Sequence, residues 1–146
     1  MPHIHKSALV PYSAAAMFEL VQRAEDYPRF LPWCGGTQVH HRNEQGMSAT
    51  ITINYRGIRQ SFSTENTHHW PTQIDIRLRD GPFSHLTGSW TFKPLAEDAC
   101  RIDLRLDYEV KSGLLARVLS PVFGHIATSM VDAFVQEAEK RHAQPR

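Results

Sequence analysis

The C-terminal stretch Leu114–His142 carries a continuous amphipathic pattern. Its apolar residues recur at steps of three and four, which predicts one long helix with an apolar stripe. A helix of about 29 residues is about 43 Å long. Since a lone helix cannot bury such a stripe, a broad apolar surface must lie opposite it. The stripe consists of Leu115, Val118, Leu119, Val122, Phe123, Ile126, Ala127, Met130, Val131, Phe134, Val135 and Ala138.

Pro121 lies inside this stripe and lacks the backbone N–H that an unbroken helix uses. Together with Gly124, it predicts a kink or a short break between the first turns and the main helix. Apolar residues at helical spacing are more often ordinary core than the wall of a ligand site. The stripe alone therefore predicts a core helix, and a ligand site needs further evidence.

Length and charge limit the class of protein. A chain of 146 residues fits one domain, residues 1–146, around a single core. Lys and Arg total 16 against 15 for Asp and Glu, so no global charge indicates nucleic-acid binding. The N-terminus lacks the pattern of a signal peptide, and no uninterrupted apolar run approaches the roughly 20 residues of a membrane span. We expect a soluble, cytoplasmic protein in which Cys34 and Cys100 are free thiols.

The N-terminal part predicts one strand and short helical pieces. Residues 3–10 alternate weakly, which indicates a first strand, and Ser13 is a good N-cap for a short helix that ends near Asp26. Residues 27–34 are too rich in proline for a long helix and too aromatic for a solvated loop. We expect this segment to pack onto the rim of the domain.

From residue 36 to residue 110 the apolar pattern has a period of two, which predicts hairpin-linked strands. The last strand is the clearest, because Leu104 and Leu106 alternate with Asp103 and Arg105. Such alternation indicates an antiparallel sheet that is covered on one face only. One strand, short helices, a run of strands and one long helix predict an α+β fold with two layers.

No catalytic or metal-binding arrangement is visible. In a strand, the neighbours within His40–His41 and within His68–His69 point to opposite faces, so neither pair suits one metal ion. His125 lies beside the apolar stripe, where a boundary position is favoured over a polar contact inside a cavity. We predict no catalytic residue, no metal site and no required cofactor.

The predicted inner face of the sheet is large and apolar, which suits a hydrophobic ligand held between sheet and helix. The residues predicted to line this cavity are Ile51, Ile53, Tyr55, Phe62, Ile76, Leu78, Trp90, Phe92, Leu104, Leu106, Tyr108, Phe123, Ile126, Met130 and Phe134. The predicted rim consists of Phe30, Leu31, Pro32, Trp33 and Phe83. Five residues carry a polar group that would either orient the head group of a ligand or be hydrogen-bonded within the core. They are Tyr55, Thr64, Asn66, Trp90 and Tyr108.

Several short motifs resemble one protein family in the same order along nearly the whole chain. They are Val10-Pro11-Tyr12-Ser13, Tyr27-Pro28 with Phe30-Leu31-Pro32-Trp33-Cys34, Asp80-Gly81-Pro82-Phe83 leading to Leu86, Gly88, Trp90, Phe92 and Pro94-Leu95, and Met130-Val131 with Ala133-Phe134. That family is the START-like (polyketide cyclase/dehydrase-like) group, which contains the coenzyme Q-binding proteins and the bacterial ribosome association toxin. The first and third motifs favour the bacterial branch.

The resemblance implies a helix-grip (START/Bet v 1-like) fold, in which a seven-stranded antiparallel sheet wraps around the long C-terminal helix and two short N-terminal helices close one end. It also implies a hydrophobic tunnel that binds ubiquinone or a related prenyl lipid in support of respiration. The alternative is a ribosome association toxin that binds the 50S subunit and blocks 70S formation. Two further partners are implied as alternatives. One is the inner membrane, which the protein would contact transiently at its surface, and the other is a small antitoxin.

These alternatives make different demands on the residues. An enzyme that acts on a polyketide needs an acid–base set, which the sequence does not show, so we expect a non-enzymatic binding protein. Ribosome binding needs a local basic surface. Arginines clustered on the wet face of the sheet favour RNA, whereas interleaved acidic residues favour ordinary solubility. The arginines concerned are Arg56, Arg59, Arg77, Arg79, Arg101 and Arg105.

Overall fold

Seven strands form one antiparallel sheet in the computed structural model, which describes residues 1–143. The elements are β1 His3–Val10, α1 Ala14–Gln22, α2 Tyr27–Phe30, β2 Cys34–Asn43, β3 Gly46–Tyr55, β4 Ile58–His69, β5 Gln73–Asp80, β6 Phe83–Ala96, β7 Ala99–Val110 and α3 Leu114–Ala143. A 3-10 turn, Ala24–Asp26, joins α1 to α2. The predicted helix-grip architecture is therefore confirmed, including its two short N-terminal helices and its long C-terminal helix.

The strand order is β1-β7-β6-β5-β4-β3-β2, so the first strand lies beside the last. His3 stands opposite Asp107 and Val10 opposite Cys100, while β2 to β7 follow one another as hairpins. β1 and β2 form the two edges of the sheet. The register of β2 shifts twice along β3, which interrupts the regular row of backbone groups that an exposed edge would offer to another strand.

Ser13 begins α1 as the sequence predicts, because its side-chain oxygen accepts a hydrogen bond from the Ala16 amide at 3.0 Å. The helix ends at Gln22 and not near Asp26, and the 3-10 turn carries the chain onward. Pro28 stands in the first turn of α2, where the missing N–H breaks no helical bond. These short pieces close one end of the space above the sheet.

The alternation of β7 buries its apolar side chains beneath α3, as the sequence predicts. Gly88 of the neighbouring strand β6 permits close contact between the two strands. A Cβ atom at this position would lie 2.2 Å from the carbonyl oxygen of Arg105 and 2.6 Å from the Leu106 side chain. The strand interior therefore requires glycine at this point.

α3 is continuous through Pro121, so the predicted break is wrong, while the alternative of a kink stays a prediction. The proline leaves the carbonyl of Arg117 without its helical N–H partner. Since Pro121 and Arg117 are both exposed, water can satisfy that carbonyl, and the helix continues.

The backbone of α3 lies closest to β1, β7 and α1. Buried side chains such as Leu119, Val131 and Ala138 form its inner face. By length and composition alone, Leu114–His142 would also qualify as a membrane span, with a mean hydropathy of 1.4 in its most apolar window. A third of that window is buried inside the domain, and core helices of water-soluble proteins meet the same criterion.

Candidate ligand-binding cavity

A largely apolar cavity lies between α3 and the middle strands of the sheet. The volume that the centres of water-sized molecules can occupy in this cavity is about 70 Å³. That is several times the roughly 10–15 Å³ that one buried water needs. An engineered apolar cavity of about 150 Å³ holds benzene. A ring-sized head group therefore fits only if the walls of this cavity move apart.

The structure brings many of the predicted lining residues to this cavity: Ile51, Phe62, Ile76, Trp90, Leu106, Phe123, Ile126 and Met130. Thr64 and Asn66, predicted as polar tips, also lie on the wall. The other predicted lining residues lie away from it: Ile53, Tyr55, Leu78, Phe92, Leu104, Tyr108 and Phe134. Most of this second group is packed into the core behind the wall.

One end of the cavity is closed by an aromatic cluster that includes Phe83. The Phe83 ring centroid lies 5.6 Å from that of Phe62 and 4.8 Å from that of Phe123, and Tyr108 lies 4.8 Å from Phe123. These rings meet edge to face, a favourable arrangement. Phe83 is 2% exposed, so it is a core residue and its prediction as a rim residue is wrong. The reason is that β6 begins at Phe83 itself, so this residue belongs to the sheet and not to the turn before it.

A second aromatic cluster surrounds Phe134, 11 positions or about 16 Å further along α3 than Phe123. The rings of Tyr27, Phe30 and Trp90 lie 5.3–5.4 Å from that of Phe134. Tyr27 and Trp90 face the cavity, and Phe134 supports them from behind. Burial raises the pKa of the Tyr27 phenol, so this group remains neutral.

The predicted rim segment is divided between core, wall and surface. Leu31 is buried in the core, whereas Trp33 lies on the cavity wall. Phe30 and Pro32 line a surface groove of about 270 Å³ beside α3, and Trp33 also borders that groove. Trp33 therefore separates the cavity from one side of the surface.

Gln22, the last residue of α1, is a wall residue that the sequence pattern did not single out. It also borders an outer groove of about 700 Å³ formed by α1, the β2–β3 turn and the end of β4. In that groove, the exposed ring of Trp70 meets Phe18 edge to face at 5.0 Å. Gln22 is the partition between the outer groove and the cavity. A polar residue four positions after Phe18, on the buried face of α1, is the signal that could have identified it.

The structure adds four apolar or aromatic wall residues to those predicted: Val21, Tyr27, Ile74 and Leu86. Val21 and Tyr27 belong to the short helices. Because they are held together by a hydrogen bond from the Tyr27 hydroxyl to the Val21 carbonyl, α1 and α2 form one continuous wall. Alternation within strands cannot reveal such a contact between helices.

Three polar atoms on the wall have no hydrogen-bond partner within residues 1–143: Gln22 Oε1, Trp33 Nε1 and Asn66 Oδ1. Buried polar atoms are normally paired with protein or with ordered water. A missing bond to such an atom costs about 1–3 kcal/mol. These three atoms are therefore places where a ligand or a water molecule gains a hydrogen bond.

The outer face of the sheet carries interleaved charges. Arg79 donates to Glu65 at 3.1 Å, and Arg101 pairs with Asp103 at 3.2 Å. Arg77 stands opposite Glu65 in the register of β4 and β5. Clustered arginines would favour RNA binding, whereas interleaved acidic residues favour ordinary solubility. The observed pattern is the interleaved one. Within the part of the chain that the structure describes, no three His, Cys, Asp or Glu side chains are grouped to hold a metal ion.

Comparison with known proteins places the chain among relatives of two kinds. It is 42% identical over 138 residues to the ribosome association toxin RatA of Pseudomonas aeruginosa, covering 94% of this chain and 96% of that protein. It is 29% identical over 144 residues to the mitochondrial coenzyme Q-binding protein COQ10 of Drosophila melanogaster, covering 96% of this chain and 60% of that protein.

Solved structures share the fold. A START superfamily protein from Mycobacterium smegmatis superposes with a TM-score of 0.79 at 22% identity, over 94% of this chain and 97% of that one. The Zhui aromatase/cyclase from Streptomyces sp. R1128 gives 0.84 at 15% identity, over 96% and 94%. At these identities the likeness shows the fold alone. The family described as polyketide cyclase / dehydrase and lipid transport matches residues 10–135, and the chain belongs to that family.

Proposed function

We propose that this protein binds a hydrophobic small molecule with a polar ring, of the ubiquinone or prenyl-lipid type, and carries it without changing it chemically. The observation that carries this proposal is the apolar cavity beneath α3 with three unpartnered polar atoms on its wall. Apolar surface drives binding at roughly 25 cal/mol per Å² buried, and a few polar atoms fix the orientation. The name of the COQ10 relative and the lipid-transport description of the family support this ligand class.

The sizes of the cavity and the groove indicate how the ligand is divided between them. Small-molecule sites usually have about 300–1,000 Å³, more than the cavity alone offers, so we assign the ring to a widened cavity and part of the tail to the outer groove. Gln22 borders both spaces, so it marks the place where the ring and the tail are joined. Met130, half-buried on the α3 side of the wall, is flexible enough to let the cavity widen.

The composition of the wall favours binding over catalysis. Tyr27 is the one ionisable side chain on the wall within residues 1–143, and its pKa is raised by burial. General acid–base catalysis needs a group that exchanges its proton near neutral pH. Because the fold also occurs in an aromatase/cyclase, the proposal rests on these wall residues and not on the fold.

The test is to purify the protein from its own host, record its native mass spectrum and extract the bound material for ultraviolet spectroscopy. We expect an adduct with a quinone-type spectrum and an isoprenoid mass. Met130→Trp fills the cavity from α3 and should abolish the adduct. Val135→Trp is the matched control, because Val135 is half-buried on the same helix but lies off the cavity wall.

Overpacking costs about 1–3 kcal/mol, so circular dichroism must show that both variants are folded. Equal adducts in folded Met130→Trp, Val135→Trp and wild-type protein would exclude the cavity as the binding site. A wild-type protein that carries no apolar adduct and takes up neither added quinone nor added hydroquinone would contradict the proposed function itself.

Association with the large ribosomal subunit is a second candidate, supported by the RatA relative and by one surface. At the start of α3, the apolar residues Leu114, Leu115 and Val118 are exposed, and Leu114 is 78% exposed. Lys111 precedes them in the sequence, Arg117 lies between Leu115 and Val118, and both basic residues are also exposed. A mixed basic and apolar surface suits a ribonucleoprotein better than the interleaved outer face of the sheet does.

A sucrose gradient with purified 50S subunits tests this second candidate. We expect wild-type protein to comigrate at low salt, and the double variant Lys111→Glu/Arg117→Glu to remain at the top of the gradient. The control is Arg77→Glu/Arg105→Glu, which changes the charge by the same amount on the outer face of the sheet. If wild-type protein fails to comigrate at low salt, or if both double variants behave alike, the assignment to the start of α3 is wrong.

A further inference from the structure

Two of the unpartnered wall atoms are well buried and opposite in hydrogen-bonding character. Gln22 is 8% exposed and Trp33 is 4% exposed. The Trp33 indole nitrogen only donates a hydrogen bond, whereas the Gln22 amide oxygen only accepts. Neither atom has a partner among residues 1–143, and both side chains line the cavity. A ligand that satisfies both must itself carry a donor and an acceptor.

The orientation of the Gln22 amide is set by its neighbour. Gln22 Nε2 donates to Glu19 Oε2 at 3.1 Å. Turning the amide around would place its oxygen against the carboxylate oxygen of Glu19, with no hydrogen between them. The oxygen therefore remains the free atom of the amide. Asn66 and Thr64 do not impose this constraint, because the structure gives no hydrogen bond that fixes the Asn66 amide and a hydroxyl both donates and accepts.

We propose that the cavity prefers a hydroxyl-bearing ring, such as a hydroquinone or another phenol, over the corresponding quinone. A quinone carbonyl accepts the N–H of Trp33 but has no hydrogen to give to Gln22, so the Gln22 oxygen stays unpaired. A ring hydroxyl donates to Gln22, and a ring oxygen still accepts from Trp33. This inference rests on the proposed function and adds the redox form of the ligand to it.

A binding comparison under anaerobic conditions tests the preference. The probes are a short-chain alkyl benzoquinone and the same compound reduced to its hydroquinone, each titrated calorimetrically into the apoprotein. One unpaired buried acceptor corresponds to a difference in Kd of at least about fivefold. We expect the hydroquinone to bind more tightly by that factor.

Variants show which atom causes the preference. Gln22→Leu removes the acceptor while keeping a similar shape, so hydroquinone binding should weaken to the level of the quinone while quinone binding is unchanged or stronger. Trp33→Phe removes a donor that both forms use, so both should weaken by a similar factor and the preference should remain. Gln38→Leu, the same substitution at an exposed position of β2, should leave both affinities unchanged.

The results separate this inference from the function beneath it. If both forms bind wild-type protein equally, or if Gln22→Leu keeps the preference, a water molecule or another group satisfies Gln22 and the inference is wrong, while carrier function stands. If neither form binds wild-type protein, the proposed function fails and the inference fails with it.

Discussion

At the scale of single residues, His68 shows how burial makes a side chain sensitive to pH. It lies on β4 beside the outer groove, its ring meets Phe18 edge to face at 5.3 Å, and its Nε2 atom has no partner within residues 1–143. Burial lowers the pKa of His68, and the nearby Arg42 cation lowers it further, against a smaller opposite effect of Glu19. The folded state therefore favours the neutral imidazole.

Acidification should destabilise the fold through this residue. When the pH falls below about 6.5, the unfolded chain binds a proton at His68 more readily than the folded protein does, so the free energy of unfolding decreases. In urea unfolding between pH 7.5 and 5.5, His68→Gln should show a smaller decrease than wild-type protein. The exposed His40 provides the control variant His40→Gln, which should retain the wild-type decrease.

Carboxylates that are ion-paired in the folded protein change its stability only at lower pH. Hydrogen bonds from Arg42 lower the pKa of Glu25. Burial opposes the same change at Asp26, but Arg141 and Arg23 outweigh it and lower the pKa of Asp26. Their contribution to stability is lost only below their ordinary values of 4.5 and 3.8, which lie outside the window that tests His68. An equal decrease in wild-type protein and His68→Gln would contradict the role given to His68.

At the scale of elements, α3 is an exposed apolar turn at its start and a core helix over the rest of its length. The C-terminal part is tied to the 3-10 turn between α1 and α2 by Arg141, which donates to Glu137 of α3 at 2.9 Å and to Asp26 of the turn at 3.2 Å. Glu137 is buried, so this ion pair gives its charge a partner. The network holds the end of α3 against the wall formed by α1 and α2.

Pro121 lies near the exposed start of this helix. Proline in a helix interior costs about 3 kcal/mol relative to alanine. Because Pro121 is exposed, Pro121→Ala should restore the bond to the Arg117 carbonyl without a clash and raise the free energy of unfolding by about 1–3 kcal/mol. Glu139→Ala, an exposed change that hardly alters helix propensity, is the control for thermal and urea unfolding. An unchanged or lower stability of Pro121→Ala would show that the helix is adapted to the proline.

At the scale of the whole molecule, the sequence predicts the layers better than it predicts the cavity. The alternation of apolar and charged residues in β7 and the helix cap at Ser13 are local properties of the sequence. The strands, the start of α1 and the length of α3 could therefore be predicted. The same alternation places Ile51 and Ile53 on one inner face, but only Ile51 reaches the cavity, because packing decides which part of that face is filled. Val21 and Tyr27 form part of the cavity wall through a contact between α1 and α2, which alternation within the strands does not reveal.

The order of the strands has a consequence for how the molecule is made. β1 pairs with β7, about one hundred residues further along the chain, and α3 follows all seven strands. A ribosome therefore finishes synthesis of all seven strands before it begins the helix that covers their apolar face. Domains emerge at about 5–20 residues per second, so this face remains uncovered for seconds in every new molecule. The exposed apolar face makes the nascent chain prone to aggregation during that interval, and its native core forms only after synthesis of α3.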